Sequence, residues 1–220
     1  SQYDAYRYST HPNVVTAMEF ERILSASGPY MGHLVRPSDQ KEPRKIAWLQ
    51  CVGSRDTNHC NNGYCSSVCC MYAMKEAVIA KEHSHDPLDC AIFYMDIRSH
   101  GKDFERFYRK SEEEGVRFIR SRIHGIMPVV NSDDLLLSWV SEDGHLFSEV
   151  FDLVILSVGL TIPPETAALC GKLGIDLDHY RFIHSSSFTP VATSRPGIYA
   201  CGVISGPKDI PQSVVEASAA

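Results

Sequence analysis

Five of the eight cysteines fall in one short run, from Cys51 through Cys60 and Cys65 to the adjacent pair Cys69-Cys70. The run opens where the apolar stretch Ile46-Ala47-Trp48-Leu49-Gln50 ends, and it closes inside a helical pattern. A strand-to-helix turn is where a dinucleotide-binding fold holds its cofactor phosphates, using glycines that allow a tight turn and close backbone approach. Here thiols stand where glycines are expected, which points to a metal cluster built into a dinucleotide-type scaffold.

Other uses of the run fit less well. A disulfide framework is not needed by 220 residues with 44% hydrophobic content, and no signal-peptide pattern opens the chain. A structural zinc site shows separated CxxC knuckles, and no CxxC occurs. The same objection meets a thioredoxin-like redox pair. Five thiols within twenty residues also exceed what simple packing as small hydrophobes would use.

Four thiolates are the usual ligand set of a [4Fe–4S] centre. A helix predicted from about Tyr64 to His83 puts Cys65 and Cys69 on one face, with Cys70 on the same turn and Cys51 approaching from the strand end. The positive end of that helix favours an anionic cluster. Cys51, Cys65, Cys69 and Cys70 are therefore the expected metal ligands. Cys60 is left out, because it sits in the polar loop His59-Cys60-Asn61-Asn62-Gly63 with no element to fix it.

The remaining pattern reads as α/β. Val14-Val15-Thr16 forms a short strand, and Thr16 with Glu19 makes a capping box for a helix over 17–24. Ile46 to Gln50 is a buried strand, and Val68, Tyr72, Val78 and Ile79 are packing positions of the helix after it. A strand over 89–97, a charged helix stopping at Gly115 and a strand over 116–122 follow. Strands 135–140 and 145–151 flank the hairpin signal Asp143-Gly144, and 151–159 is a buried, parallel-type strand ending in Gly159. This order predicts a Rossmann-like, nucleotide-binding parallel sheet with a small antiparallel meander. The expected divisions are a connecting segment over 1–45, the cysteine-bearing nucleotide-type domain over 46–160, and part of an FAD-binding domain over 161–220.

The unit resembles the pyridine-nucleotide domain of two-dinucleotide-domain flavoproteins such as thioredoxin reductase. The first turn, Cys51-Val52-Gly53-Ser54-Arg55-Asp56, has one glycine where the fingerprint has three, so NAD(P) binding is not expected. Pro196 to Gly202 reads as a strand running into a glycine, and Pro211 to Ala220 as a helix. The pair resembles the second FAD motif of the same flavoproteins, in which a helix N-terminus faces the flavin and stabilises its negative charge on reduction. The resemblance makes Gly159, Gly202, Val203, Pro207, Lys208, Asp209, Ile210 and Ser213 candidate cofactor-binding residues. Val203 occupies the place where that family carries an acid for the ribityl chain.

Three phrases narrow the resemblance: Gln50-Cys51-Val52-Gly53-Ser54-Arg55-Asp56, Tyr64-Cys65-Ser66-Ser67-Val68-Cys69-Cys70-Met71-Tyr72-Ala73, and Gly206-Pro207-Lys208-Asp209-Ile210-Pro211. Together with Glu19 to Pro29 they look like the A subunit of heterodisulfide reductase, over nearly the whole chain. The resemblance implies an FAD-containing oxidoreductase whose thioredoxin-reductase-like domain carries a [4Fe–4S] cluster on Cys51, Cys65, Cys69 and Cys70. It also implies other heterodisulfide reductase subunits and a hydrogenase or formate dehydrogenase donor as partners, with a homodimer as a further assembly. The FAD-diphosphate GxGxxG and the ferredoxin-like CxxCxxC of such proteins are missing from this sequence, and Glu216 to Ala220 stops within a helical pattern. The chain is accordingly read as an internal segment, expected to be inactive alone and to bind FAD weakly.

Two other classes compete: a zinc-stabilised, non-catalytic α/β docking module, and an NAD(P)-binding reductase domain. A net charge of −6 argues against a nucleic-acid partner, no apolar run reaches the length of a membrane helix, and the reduced cysteines suggest the cytoplasm. Cys90, Cys170 and Cys201 are expected to pack structurally, His83 and His85 to lie in a solvated turn, and Arg117, Arg120 and Arg122 to occupy an exposed strand face.

Overall fold

The computed structural model describes residues 4–220. They form two compact units: the described residues up to 53 with 69–158, and residues 54–68 with 159–220. The division differs from the sequence expectation in two ways. The described residues before 46 join the sheet unit rather than standing apart as a connector, and the loop 54–68 groups with the C-terminal segment.

In the first unit, Val14–Thr16 (β1), Lys45–Val52 (β2), Asp89–Tyr94 (β3), Arg117–Arg120 (β4) and Leu153–Val158 (β8) make a parallel sheet in the order β1-β8-β2-β3-β4. Ile126–Pro128 (β5), Leu135–Val140 (β6) and Leu146–Phe151 (β7) form an antiparallel sheet. The hairpin falls at Asp143-Gly144, where Gly144 takes the positive φ of +82° that such a turn requires. β5 has no sequence signal of its own, being three residues long and ending in proline.

Both faces of β2 are buried, which is why its sequence is a continuous apolar run. Ile46 and Trp48 pack with Phe20 of Ala17–Leu24 (α1) and with Ala73, Met74 and Ala77 of Cys69–His83 (α2). Ala47, Leu49 and Val52 face the other way, against Leu135, Leu137 and Phe151 of the antiparallel sheet. α1 begins as read: the Glu19 amide donates to Thr16 Oγ1 at 3.3 Å, and the Thr16 amide donates to Glu19 Oε2 at 2.6 Å. Phe104–Glu113 (α3) ends at Gly115, whose φ of +81° terminates the helix.

The arginines of β4 are occupied rather than merely exposed. Arg117 donates to Asp89 at 2.8 Å and to Glu149 at 3.1 Å, with Lys45 joining the same carboxylates, and Arg120 pairs with Glu142 at 2.8 Å.

The second unit contains Pro164–Leu173 (α4), a 3-10 turn over Gly202–Ser205 and Ile210–Ala219 (α5). The strand expected over 196–202 does not form. Its trace is a single bridge between Ala192 and Tyr199, because Pro196 and Gly197 (φ +81°) turn the chain at the point where pairing would begin. Cys170 is buried in α4 as expected, whereas Cys201 is exposed rather than packed.

Candidate functional site

From β2 the chain passes through α2 to β3 and then outward to β4, while β8 lies on the other side of β2. The seam between the carboxyl ends of β2 and β8 is therefore the topological switch point, where doubly wound sheets bind their ligands. Gln50, Cys51 and Ser157 stand there. Leu49 pairs with Leu156 and Val52 with Val158, so Gln50 and Cys51 together oppose the single residue Ser157. This bulge re-aims the strand end. Cys51 has φ +61°, the left-handed backbone that the first glycine of a dinucleotide fingerprint supplies without strain. The thiol has taken the glycine's place and kept its conformation, at about 1 kcal/mol for an L residue.

α2 starts at Cys69, not near Tyr64. Ser67 adopts φ +63° and breaks the pattern two residues before the helix, so Cys65 lies in the preceding loop and shares no helix face with Cys69. Cys69 and Cys70 are buried in the first turn. Cys69 Sγ approaches the Val158 carbonyl at 3.9 Å, and Cys70 Sγ approaches the Asp96 carbonyl at 3.8 Å. The Tyr72 hydroxyl donates to the Val158 carbonyl at 2.9 Å. Burial, with Cys69 beside it, pushes the Tyr72 phenol far above its ordinary value.

None of the eight cysteines is in a disulfide. Among the described residues, no three Cys, His, Asp or Glu side chains gather closely enough to hold a metal ion as they stand. In donor chemistry the first unit nevertheless suits a thiolate-bound group. Buried thiols 51, 69 and 70 belong to the strand end and the helix start, and buried polar atoms without hydrogen bonds accompany them at the strand ends: Gln50 Nε2 and Oε1, and Ser157 Oγ. Two turns along α2, the Trp48 indole donates to Glu76 Oε2 at 2.8 Å, and Glu76 Oε1 has no partner. Burial lifts the Glu76 carboxyl to about 8, against the smaller opposing pull of the Trp48 N–H. Cys90, also fully buried, is pushed up to about 12 by burial, as befits a structural thiol.

In the second unit the loop 54–68 is an ordered turn. Asp56 and Asn62 exchange backbone hydrogen bonds at 2.9 and 3.0 Å, and Cys60 Sγ lies 3.1 Å from the Asp56 carbonyl. Cys60 is thus fixed by an element of structure, contrary to the expectation of a loose loop. Tyr64 donates to the Leu160 carbonyl at 2.7 Å and meets Tyr180 edge-on at 4.8 Å. Ser66 accepts from the Leu160 amide at 2.9 Å. Gly159 is required here, since a Cβ would come within 2.6 Å of Ser66 Oγ and 3.0 Å of Ser54 Cβ.

The other candidate cofactor residues surround the start of α5. Asp209 caps the helix, accepting from the Gln212 amide at 2.8 Å, and the Ser213 hydroxyl donates to the Asp209 carbonyl at 2.7 Å. Lys208 is buried, and its ammonium donates to Glu216 at 2.6 and 2.7 Å and to Ser205 at 2.7 Å. Glu216 also accepts from the Gly202 amide at 2.9 Å. Burial opposes ionisation of Glu216, but Lys208 and that amide outweigh it and hold the carboxyl below its usual range. Gly202 has φ +77°, Val203 lies in the 3-10 turn, Pro207 is half-buried and Ile210 is exposed. Reading the sequence missed Glu216, Gln50, Ser157 and Glu76. The last three carried a signal, being polar residues inside otherwise apolar segments.

No family model matches the sequence. The chain is 42% identical over 222 residues to the A subunit of the H(2):CoB-CoM heterodisulfide,ferredoxin reductase of Methanothermobacter marburgensis, covering 98% of this chain and 33% of that protein. It is 41% identical over 229 residues to the iron-sulfur A subunit of the CoB--CoM heterodisulfide reductase of Methanocaldococcus jannaschii, covering 99% and 33%. A protein of Archaeoglobus profundus, named as like the heterodisulfide reductase A subunit, is 36% identical over 231 residues, covering 95% and 32%. The chain thus spans about a third of the length of these relatives. Among solved structures, thioredoxin reductase of Lactococcus lactis superposes with a TM-score of 0.57 at 17% identity, covering 100% of this chain and 57% of that one. The fold is therefore that of the thioredoxin reductases.

Proposed function

The chain belongs to the family of heterodisulfide reductase A subunits, and from that premise we propose that it is an electron-transfer segment of an FAD- and iron–sulfur-dependent heterodisulfide reductase. The observation that carries the reading is the buried trio at the carboxyl end of the sheet: Cys51 at the end of β2 in a glycine's conformation, Cys69 beside the Val158 carbonyl of β8, and Cys70 beside the Asp96 carbonyl just after β3. In this reading the three thiolates, with Cys65 four residues before Cys69, hold a [4Fe–4S] cluster where related folds bind a pyridine nucleotide. When bound, the cluster supplies one-electron transfer and the flavin supplies the exchange between electron pairs and single electrons.

The flavin is assigned to the start of α5, with Gly202, Val203, Pro207, Lys208, Asp209, Ile210 and Ser213, and with Gly159 supporting the loop beside Leu160. Gly202 and Gly206, at φ +77° and +139°, give a glycine-lined turn suited to close approach of a ring. Lys208 contributes by holding Glu216 and, through it, the Gly202 amide, which keeps that turn in place. Partner subunits and a hydrogenase or dehydrogenase donor complete the electron path, and a homodimer and a cytoplasmic location belong to the same proposal. No helix among the described residues is long and apolar enough to cross a membrane.

Anaerobic reconstitution of the chain with iron and sulfide tests the cluster. A broad absorbance at about 400 nm, as thiolate-bound iron–sulfur centres give, is expected to fall with serine at Cys51, Cys65, Cys69 or Cys70 and to persist with Cys60→Ser. Full retention in Cys65→Ser overturns the ligand assignment. One bound zinc without acid-labile sulfide points instead to a docking module.

A further inference from the structure

Gln50 presents an unusual situation in the core of the first unit. It is 7% exposed, and neither end of its side-chain amide has a hydrogen-bond partner. Leaving both ends unmatched costs on the order of 1–3 kcal/mol for each, which a purely structural role does not offset, because an apolar side chain of the same length would fill the space. The strand alternation gives its direction. Ile46 and Trp48 of β2 pack against α2, as do Leu153 and Ile155 of β8. Gln50 and Ser157 continue those two rows, so they lie beneath the first turn of α2, the turn that begins with Cys69 and Cys70. Ser157 is fully buried, and its hydroxyl sits beside Tyr72, whose own proton is taken by the Val158 carbonyl. Gln50 and Cys51 are the two bulge residues that face Ser157.

Two buried amide hydrogens without an acceptor, with the Ser157 hydroxyl on the neighbouring row, thus lie where β2 and β8 end beneath the turn that begins with Cys69 and Cys70. We infer that Gln50 is a positioning residue for the sulfur-bound group proposed above, its amide N–H donating to sulfur while the Ser157 hydroxyl donates to its carbonyl. The inference rests on the cluster reading of that site. Donors to sulfur stabilise the more negative, one-electron-reduced form and so raise its potential. Gln50 and Ser157 therefore set the driving force of the electron step without touching the reacting electrons themselves.

The experiment compares the wild-type chain, Gln50→Met and Gln50→Glu, each reconstituted anaerobically and titrated with dithionite while the reduced centre is followed by electron paramagnetic resonance. Removing the donor is expected to disfavour reduction about tenfold in Gln50→Met, a shift of about 59 mV to more negative potential for one electron. Gln50→Glu above neutral pH, with no donor and an added negative charge, shifts further the same way. Metal-free Gln50→Met is expected to unfold in urea no more easily than the metal-free wild type, since it removes an unmatched amide.

A potential unchanged within twofold in both variants overturns the inference and leaves the cluster reading intact. A metal-free Gln50→Met that is clearly less stable also overturns it, because the amide then has partners in the core. Loss of the cluster from both variants, with metal-free stability retained, supports a positioning role. Absence of acid-labile sulfide in the reconstituted wild type overturns the cluster reading itself.

Discussion

Replacing Glu76 by glutamine isolates the cost of a buried acid. The carboxyl lies under α2 with one oxygen accepting from Trp48 and the other unmatched, and its ionisation is moved from 4.5 to about 8. A carboxyl whose folded value is raised contributes fully below its unfolded value, and that contribution is lost as pH rises through the folded value. At 1.36 kcal/mol per pH unit, the loss between about pH 4.5 and 8 amounts to roughly 5 kcal/mol, with little further change above. Glutamine cannot ionise, so its contribution is flat. It brings an amide hydrogen with no acceptor and costs about 2 kcal/mol at low pH. The two stability curves are then expected to cross near pH 6, and at pH 8.5 Glu76→Gln should be the more stable by about 3 kcal/mol. Urea unfolding at half-unit intervals from pH 5 to about 9, followed by tryptophan fluorescence, measures the difference directly. A constant gap between the two proteins across that range refutes the assignment of Glu76 as the titrating group.

Four further outcomes follow from the geometry. Cys51→Gly should leave metal-free stability within about 1 kcal/mol of wild type, the relief at φ +61° offsetting the lost side chain, while Cys51→Val should cost about 2 kcal/mol or more in thermal unfolding. Thr16→Ala removes the capping box of α1 and should cost about 1 kcal/mol in urea unfolding. Glu216→Gln leaves the Lys208 ammonium buried with a neutral partner and should cost about 3 kcal/mol, visible as faster amide exchange over Gly202–Ser205 and α5. Gly159→Ala should destabilise the second unit by about 1–3 kcal/mol, since its Cβ has to displace Ser66 and Ser54.

Where local chemistry decides the outcome, the sequence was readable. Thr16 with Glu19, Gly115 and Asp143-Gly144 each act through neighbours a few residues away, and the elements they bound lie where pattern reading put them. The continuous apolar runs of β2 and β8 announced strands buried on both sides. What failed depended on distant partners. The stretch 64–68 looks helical in isolation, but Tyr64 and Ser66 are engaged by Leu160, and Ser67 turns into the left-handed region instead. The serines before Cys69 were a legible start signal that the cysteine spacing overshadowed. At the candidate site, the thiols and the displaced glycine were visible in one dimension. The charge relation of Lys208 with Glu216 was not, because they lie eight positions apart and meet only when the lysine ahead of α5 reaches back along the helix to Glu216.

The loop 54–68 has a consequence for the order of events during synthesis. Tyr64 leaves the ribosome 96 residues ahead of Leu160, whose carbonyl it requires. At about 5–20 residues per second that gap lasts roughly 5–20 s. β3, α3, β4 and the antiparallel sheet are translated meanwhile, so β2, β3 and β4 have all been made while Cys65, next to Tyr64, still rides on chain whose distant partner does not yet exist. The Cys65 thiol is therefore open to solvent-borne chemistry for a timed interval, which closes only when Leu160 arrives and Tyr64 and Ser66 take up their bonds to it.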